Sequence, residues 1–356
     1  GGRSNFRAAQ PLFVTAVSMP QPQPRTRRRG ARGGRRKSFM GLRARIALGA
    51  LILTSVPVML WLGSGVGANT KVFLRGNQDR VWVHMDAQPF NDNRSAAKAT
   101  HLIIVAGHSV LISGDVENAA TDESVWWLLD YQKNHGLPQS ILGHIQAGIQ
   151  LAMEDPDSLL VFSGGQTRGQ TGPESEGSSY YRVADALHLW DGRKAFPPSS
   201  IRRQANQQST VRARTTTEEF ALDSFQNLLF SICRFHEVTG SYPDRVSMIS
   251  FTFKQERFET LHAQALLLPE FVFVGVDPPP STGFDLKQSS EGERINSLLP
   301  FRIDPYGCHS EVLQRKRKER NPFSRTPPYE LTCPEMKDLL KWCGPEIIEK
   351  SKVPWH

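Results

Sequence analysis

Three short polar segments of the sequence carry residues that could together bind an anion. They are Gly107-His108-Ser109, the segment 163–168, which begins Ser-Gly-Gly, and the segment 253–257. Backbone N–H groups in a glycine turn can point at a phosphate or carboxylate group. Lys254 and Arg257 would counter the negative charge of such a group. We therefore expect a site for a small anionic ligand.

Each of these segments follows a continuous apolar run of the kind that forms a strand buried on both faces. The four such runs are 101–107, 158–165, 245–253 and 270–277. Between them, apolar residues recur at helical spacings of three and four. This alternation predicts a Rossmann-like α/β fold, a three-layer sandwich with a mostly parallel sheet. Ligands bind beyond the carboxyl ends of the strands in such sheets, so the three polar segments should meet there.

Carboxylates add candidate acid–base groups to the predicted site. Glu176 lies near the expected start of a helix, about ten residues after the Ser-Gly-Gly turn. The segment 215–219, Thr-Thr-Thr-Glu-Glu, has the pattern of a capping box that opens the next helix. In that helix Glu218 would point towards the apolar side, either as a partner of the helix dipole or as a site residue. Asp223 and Asn227 would share a polar face, either solvated or facing the ligand.

The order of four motifs resembles that of the SanA/ElyC/YdcF-like family, a domain family of unknown function, in a membrane-anchored, eukaryotic-type form. The motifs are Ile-Ile-Val-Ala-Gly-His at 103–108, Ser-Gly-Gly at 163–165 with a later Ser-Glu, Glu-x2-Ala-x-Asp-Ser-x-Gln-Asn at 218–227, and Ser-Phe-Thr-Phe-Lys-x2-Arg at 250–257. The resemblance covers about half of the chain. Lys254 stands where members of that family usually have His, so we expect it to act as a fixed positive charge.

The motifs and the resemblance together give a set of candidate site residues. The predicted ligand-binding residues are Gly107, His108, Ser163, Gly164, Gly165, Asp223, Asn227, Lys254 and Arg257, and the predicted catalytic residues are Glu176 and Glu218. The glycine turns are expected to supply backbone donors.

The resemblance implies S-adenosylmethionine as a possible ligand but assigns no reaction. Three function classes stay open: a domain that binds a small anionic or nucleotide-like ligand, a hydrolase or transferase acting on phosphorylated or glycan-linked lipid intermediates, and a non-enzymatic membrane scaffold. The chain has no G-x-G-x-x-G fingerprint, which argues against a nicotinamide cofactor.

The positive charge of the chain is concentrated in its first 45 residues, which carry twelve Lys or Arg and no acid. The whole chain of 356 residues has a net charge of +8, so the residues after position 45 sum to −4. We expect the tail to be disordered, and we expect no nucleic-acid binding by the mildly acidic body.

An apolar stretch from Ile46 to Leu62 follows the basic tail, and no charged residue occurs from 46 to 70. A signal-anchor helix over 46–68 is the favoured interpretation, with the tail cytosolic and the body in the lumen of the Golgi or endoplasmic reticulum. A cleaved secretory signal and a mitochondrial presequence are the alternatives. Asn93-Arg94-Ser95 is a glycosylation sequon that agrees with a lumenal body.

The predicted Rossmann-like domain spans 95–280, and a Pro-rich, charged extension spans 281–356. We expect the basic run 315–318 to be a solvated segment. Cys233 should be an inert core thiol, and a lumenal body would favour a disulfide between Cys333 and Cys343. The spacing of cysteine and histidine residues predicts no metal site.

Overall fold

The structure, a computed structural model, describes residues 96–191 and 210–356. The predicted anchor from Ile46 to Leu62 and the sequon at Asn93 lie outside the described residues. Within the described ranges, no helix is both long enough and apolar enough to cross a membrane.

Five parallel strands form the central sheet, in the spatial order β5-β4-β1-β6-β7. A pair of short antiparallel strands, β2 and β3, lies outside it. The strands are β1 (His101–Ala106), β2 (Val110–Leu111), β3 (Trp126–Trp127), β4 (Ser158–Ser163), β5 (Thr215–Glu218), β6 (Arg245–Ser250) and β7 (Phe271–Gly275). This arrangement confirms the predicted Rossmann-like α/β class and the four apolar strands, whose ends differ from prediction by at most three residues.

Helices cover both faces of the sheet. They are α1 (Leu137–Glu154), α2 (Glu176–Ala186), α3 (Thr210–Ala213), α4 (Ser224–Thr239), α5 (Ala263–Ala265), α6 (Leu286–Glu293), α7 (Leu299–Ile303), α8 (Glu311–Glu319), α9 (Tyr329–Thr332) and α10 (Lys337–Lys341). Two π-helical turns, Arg257–His262 and Arg294–Leu298, run directly into α5 and α7.

The central strand β1 is apolar on both faces because each face contributes to a separate core. Leu102 and Ile104 pack towards α4 and the C-terminal helices. Ile103 and Val105 pack in the opposite direction, towards α1 and α2. Side chains alternate between the faces of a strand, so a continuous apolar run is what a strand between two cores requires.

The predicted helix start at 215–219 is wrong. Residues Thr215–Glu218 form the edge strand β5, paired with β4, and α4 begins nine residues later, at Ser224. Threonine is β-branched and favours strands, whereas the cap of α4 is the Asp223 carboxylate, which accepts a hydrogen bond from the Gln226 N–H at 2.9 Å. Asp223 is therefore a cap residue and not part of a solvated helix face.

The residues after position 280 are part of the same core, because their aromatic and apolar side chains pack onto the α4 side of the sheet. Phe301, Leu313 and Tyr329 are fully buried there. The Tyr306 hydroxyl donates to the Ala265 carbonyl at 3.0 Å and accepts from the Ile348 N–H at 3.0 Å. The C-terminal extension therefore completes one of the two cores.

The predicted Cys333–Cys343 disulfide is wrong. Cys343 is bonded to Cys308, with the two Cα atoms 5.6 Å apart. Cys333 is a free thiol in the core, 3.3 Å from the Tyr242 hydroxyl, where Cys343 does not reach it. Cys233 is also buried and free, as predicted. The described residues contain no group of His, Cys, Asp or Glu arranged to hold a metal ion.

We predict that Leu313→Ala lowers the free energy of unfolding by about 2–5 kcal/mol, because truncating a buried leucine leaves a cavity. Leu313 is 0% exposed, whereas Leu331 in the same extension is 86% exposed. Leu331→Ala is therefore the matched control and should change stability by less than about 0.5 kcal/mol. Urea unfolding of the full chain, followed by tryptophan fluorescence, measures both. Equal effects of the two substitutions would show that α8 does not pack against the core.

Candidate functional site

A cavity of about 700 Å³ opens at the carboxyl ends of β1 and β6. The chain runs from β1 to β4 and β5 on one side and then returns to β6 and β7 on the other. The loops after β1 and β6 therefore leave in opposite directions and create a crevice, as the rule for open α/β sheets requires. The predicted residues that line it are Gly107, His108, Glu176, Asp223, Asn227, Lys254 and Arg257.

Lys254 and His108 face each other across this crevice. The Lys254 Nζ lies 3.3 Å from the His108 Nδ1, and the His108 Nε2 lies 3.3 Å from the Ser250 hydroxyl. Burial, together with the positive charge of Arg257, lowers the pKa of Lys254 to about 7. Burial and the charge of Lys254 also hold the pKa of His108 well below its ordinary value. Lys254 thus titrates near neutrality, which differs from the fixed charge that we expected.

Two further cations reach the cavity from the C-terminal extension. The Lys316 Nζ donates to the Asn296 carbonyl at 2.8 Å and the Ser297 hydroxyl at 3.1 Å. Arg320 donates from Nη1 to the Leu222 carbonyl at 3.0 Å. Burial and the neighbouring charge of Arg320 lower the pKa of Lys316 to about 8. Lys254, Lys316 and Arg320 thus have neutral hydrogen-bond partners in the described part of the chain.

Arg257 and Asp223, both predicted ligand-binding residues, are instead engaged in buried ion pairs. Arg257 donates from Nε and Nη2 to the Glu293 carboxylate, the second bond at 3.2 Å, and contacts the Ser224 hydroxyl. Asp223 accepts from the Arg317 Nε at 2.6 Å. Burial alone would raise the pKa of Asp223, but Arg317 and the Gln226 N–H outweigh it and lower the pKa. Both residues therefore brace the cavity wall.

Glu176, the first residue of α2, brings a carboxylate to the cavity. Its Oε1 accepts from the Thr167 hydroxyl at 2.6 Å. Its side chain lies so close to the two glycine turns that a Cβ atom at Gly107 would be 2.5 Å from the Glu176 Cβ, and one at Gly164 would be 2.7 Å from it. Glycine is thus needed at both positions to make room for this acid.

The glycine turns do not offer the free backbone donors that we predicted. The Gly107 N–H donates to the Ser163 carbonyl at 2.7 Å. The N–H groups of Gly164 and Gly165 donate to the Glu218 and Ala221 carbonyls at 2.9 and 2.8 Å. These bonds join the ends of neighbouring strands, so the turns serve close packing and side chains must bind any anion.

Glu218 lies behind the cavity wall and not in it, which corrects its predicted catalytic position. It is 1% exposed and accepts from the Ser163 hydroxyl at 2.7 Å, the Phe220 N–H at 2.7 Å and the Tyr329 hydroxyl at 3.0 Å. Burial raises its pKa to about 7, although these donors favour the charged form. Glu218 therefore ties the strand ends to the C-terminal extension.

Asn227 extends this buried network to the cavity surface. Its Nδ2 donates to the Ser163 carbonyl at 3.0 Å and to the Ser163 hydroxyl at 2.9 Å. Ser163 thus sits between Asn227 and Glu218 and has no place on the cavity lining. Of the predicted residues, Ser163, Gly164, Gly165 and Glu218 form the support, and the others line the cavity.

An aromatic wall was not predicted from the sequence. The rings of Phe251 and Phe253 stack with their centroids 5.2 Å apart, and Phe284 from the extension lies 6.0 and 6.1 Å from them. The segment between β3 and α1 also contributes to the lining, with Tyr131, Gln132 and His135. Phe251 and Phe253 directly follow β6, but the sequence pattern favours the polar residues beside them as candidates. The other residues lie on a loop or on the extension, where no strand-end rule applies. The four-residue spacing of Lys316 and Arg320, which places them on one helix face, was the one available signal.

A relative in yeast is similar to most of this chain. The chain is 30% identical, over 296 residues, to a protein of Saccharomyces cerevisiae described as "Uncharacterized protein YOR238W". The match covers 71% of this chain and 96% of the yeast protein. No family model matches the chain, and no solved structure matches it. The resemblance to the SanA/ElyC/YdcF-like family therefore stays a prediction.

We predict that Glu218 makes stability fall as the pH rises from about 4.5 to 7. The folded protein holds this proton up to a pKa of about 7, whereas the unfolded chain loses it near 4.5. Stability from this group is thus fully present below the lower value and is lost through the upper one, by about 3 kcal/mol. Urea unfolding at pH 5 and pH 8 measures the difference.

In the Glu218→Gln variant this pH-dependent loss should disappear. Glu219→Gln is the matched control, because the neighbouring Glu219 is half-buried and its carboxylate accepts from the Thr217 hydroxyl at 2.8 Å. That control should keep the wild-type pH dependence. If Glu218→Gln keeps it as well, the carboxyl of Glu218 is ionised in the folded protein.

Proposed function

The chain belongs to the same family as the yeast protein YOR238W, and we propose that it binds a small phosphorylated molecule in the cavity described above. One observation carries this proposal: Lys254, Lys316 and Arg320 converge on a single cavity, and their hydrogen-bond partners in the described part are neutral groups. Partly buried cations that share a cavity and have no direct ion-pair partner are stabilised when an anion binds between them.

The pKa values of both lysines are lowered, as expected for buried amines that have other cations nearby and no ion-pair partner in the described part of the chain. Lys254 has a pKa of about 7 and Lys316 of about 8, in each case because burial and neighbouring guanidinium groups disfavour the ammonium form. A phosphate group would supply two negative charges and several acceptor oxygens, and it would favour the ammonium form of a lysine that it contacts. The phosphate site is thus best matched by side-chain donors and not by the glycine turns.

The remainder of the ligand would lie on the aromatic wall. The rings of Phe251, Phe253 and Phe284 are nearly parallel, with interplanar angles of 18–29°. Such a surface suits a planar ring of the ligand, which would stack on it. The volume of about 700 Å³ lies within the usual range for small-molecule sites, about 300–1,000 Å³. These features favour a nucleotide-like ligand with a ring and a phosphate.

The same charges argue against S-adenosylmethionine as the ligand. That molecule carries a sulfonium and an ammonium group with a single carboxylate, so it would add positive charge beside three cations whose hydrogen-bond partners in the described part are neutral. A phosphorylated ligand is therefore preferred within the class of small anionic or nucleotide-like ligands.

A hydrolase or transferase acting on phosphorylated intermediates, including lipid-linked ones, is the second candidate function. Glu176, His108 and Lys254 line the same cavity as the proposed phosphate site. A carboxylate, a neutral imidazole and an amine that titrates near pH 7 are groups suited to proton transfer. A non-enzymatic scaffold, in contrast, would tolerate substitution of all three.

We predict that adenosine 5′-monophosphate stabilises the full chain more than adenosine does, and that a Lys316→Gln/Arg320→Gln double variant loses this difference. A charge-assisted hydrogen bond contributes about 1.5–3 kcal/mol, so loss of both cations should weaken binding at least about tenfold. Thermal shift and isothermal titration calorimetry measure it. Lys318→Gln is the matched control, because Lys318 lies on the same helix and is exposed. Unchanged affinity in the double variant, or no stabilisation by this nucleotide or by pyrophosphate, would refute the proposal.

We also propose that the stretch from Ile46 to Leu62 anchors the protein in a membrane of the secretory pathway, with the body lumenal. Its apolar length and the basic tail before it support this orientation. In cells, we expect a glycosidase-sensitive gel shift that disappears in an Asn93→Gln variant. Release of the protein by alkaline carbonate, together with absence of that shift, would count against an anchored lumenal protein.

A further inference from the structure

We propose that Lys254 forms an imine with a carbonyl group of a phosphorylated ligand held in the cavity. This inference rests on the proposed function, because the phosphate of the ligand must first be bound by Lys316 and Arg320. It names a more specific ligand class, a small phosphorylated aldehyde or ketone, and it gives Lys254 a covalent role.

The position of the Lys254 amine suits a nucleophile. Lys254 lines the cavity, and its Nζ lies 5.2 Å from the centre of the Phe251 ring and 5.8 Å from that of Phe253. Its hydrogen-bond partner in the described part is the His108 imidazole and not a carboxylate. A carboxylate at that position would hold the amine as an ammonium ion, whereas a neutral imidazole leaves it free to deprotonate.

The two lysines of the cavity differ in a way that assigns their roles. Lys316 donates to both the Asn296 carbonyl and the Ser297 hydroxyl, so its ammonium group is fixed in place. Together with Arg320 it can hold a phosphate as a charged pair. Lys254 has no comparable pair of hydrogen-bond acceptors in the described part, and its partner, the His108 imidazole, can accept a proton. We therefore assign Lys254 to the reaction with the carbonyl group of the ligand.

The pKa of Lys254 agrees with this role. At a value of about 7, roughly half of the amine is neutral at physiological pH, whereas a lysine with an ordinary pKa of about 10.4 is almost entirely protonated. A lysine whose pKa is lowered by burial and by neighbouring cations is the usual means by which proteins activate an amine nucleophile.

The step balances without an oxidant or a reductant. The Nζ lone pair attacks the carbonyl carbon, a C–N bond forms, and the electrons of the C=O π bond move to oxygen. His108 accepts a proton from Nζ and delivers it to this oxygen, which gives a carbinolamine. The second Nζ proton follows the same route as the C–O bond breaks and a C=N bond forms. One water leaves, and the ligand carbon is held as an imine.

The test uses pyridoxal 5′-phosphate as the probe, because it carries a ring, an aldehyde and a phosphate. The full chain is incubated with it near pH 7, reduced with sodium borohydride, digested and analysed by peptide mass. We expect one reduced adduct per chain, on Lys254, and at least tenfold less on the exposed Lys318. Lys254→Arg should lose the adduct, and Lys318→Arg should keep it.

A comparison with pyridoxal, which lacks the phosphate, controls for misfolding of any variant. In the wild type, trapping should be at least tenfold faster with the phosphorylated probe. In Lys316→Gln this ratio should fall towards one, a result that general loss of folding would not produce, since it would slow both probes. Pyrophosphate should slow trapping by the phosphorylated probe and not by pyridoxal.

Two outcomes would overturn the inference: an adduct spread over exposed lysines with no excess on Lys254, or undiminished single-site labelling in Lys254→Arg. If the wild type still binds adenosine 5′-monophosphate in either case, the proposed phosphate site stands and only the imine fails. If that binding is also absent, the proposed function fails with it.

Discussion

Two buried ion pairs hold the C-terminal helices at the carboxyl ends of the strands, and the cavity depends on these pairs. Arg257, which follows β6, pairs with Glu293 of α6, and Asp223, the cap of α4, pairs with Arg317 of α8. Removing one partner of a buried pair costs about 3–5 kcal/mol, because the other charge stays buried alone. These pairs therefore fix the helices that bring Lys316 and Arg320 to the site, and they give Arg257 a carboxylate partner within the protein.

A second constraint is the lack of space where β1, β4 and β5 end. Glu176 fills the gap between the turns at Gly107 and Gly164, and no side chain larger than hydrogen fits there. Beneath these turns, Glu218 links the strand ends to Tyr329 of the extension. The Ser-Gly-Gly motif thus makes room for the Glu176 side chain and does not bind an anion through its backbone. The buried residues behind the cavity act on the site by holding the strand ends in position.

The apolar strands could be predicted because burial on both faces leaves a continuous signal in the sequence. The edge strand β5 could not, because its three threonines are half-exposed and followed by two acids, a pattern that also fits a helix start. The strand-end rule predicted four residues that line the cavity after β1 and β6, namely Gly107, His108, Lys254 and Arg257. Lys316, Arg320 and Phe284 were not, because they reach the site through tertiary packing of a segment whose basic composition is typical of an exposed surface.

The distance between the phosphate of the ligand and the Lys254 amine determines whether this amine is neutral and can act as a nucleophile. At an effective dielectric constant of about 20, a negative charge 4 Å from the amine would stabilise its ammonium form by about 4 kcal/mol, or about three pKa units. That would restore the ordinary pKa of lysine and remove the nucleophile. At about 8 Å the effect halves to about 2 kcal/mol, or about 1.5 pKa units, for each negative charge. A ligand whose phosphate lies against Lys316 and Arg320, at a greater distance from Lys254, therefore leaves a larger fraction of this amine neutral. A phosphate that contacts Lys254 directly would instead turn it into a binding cation.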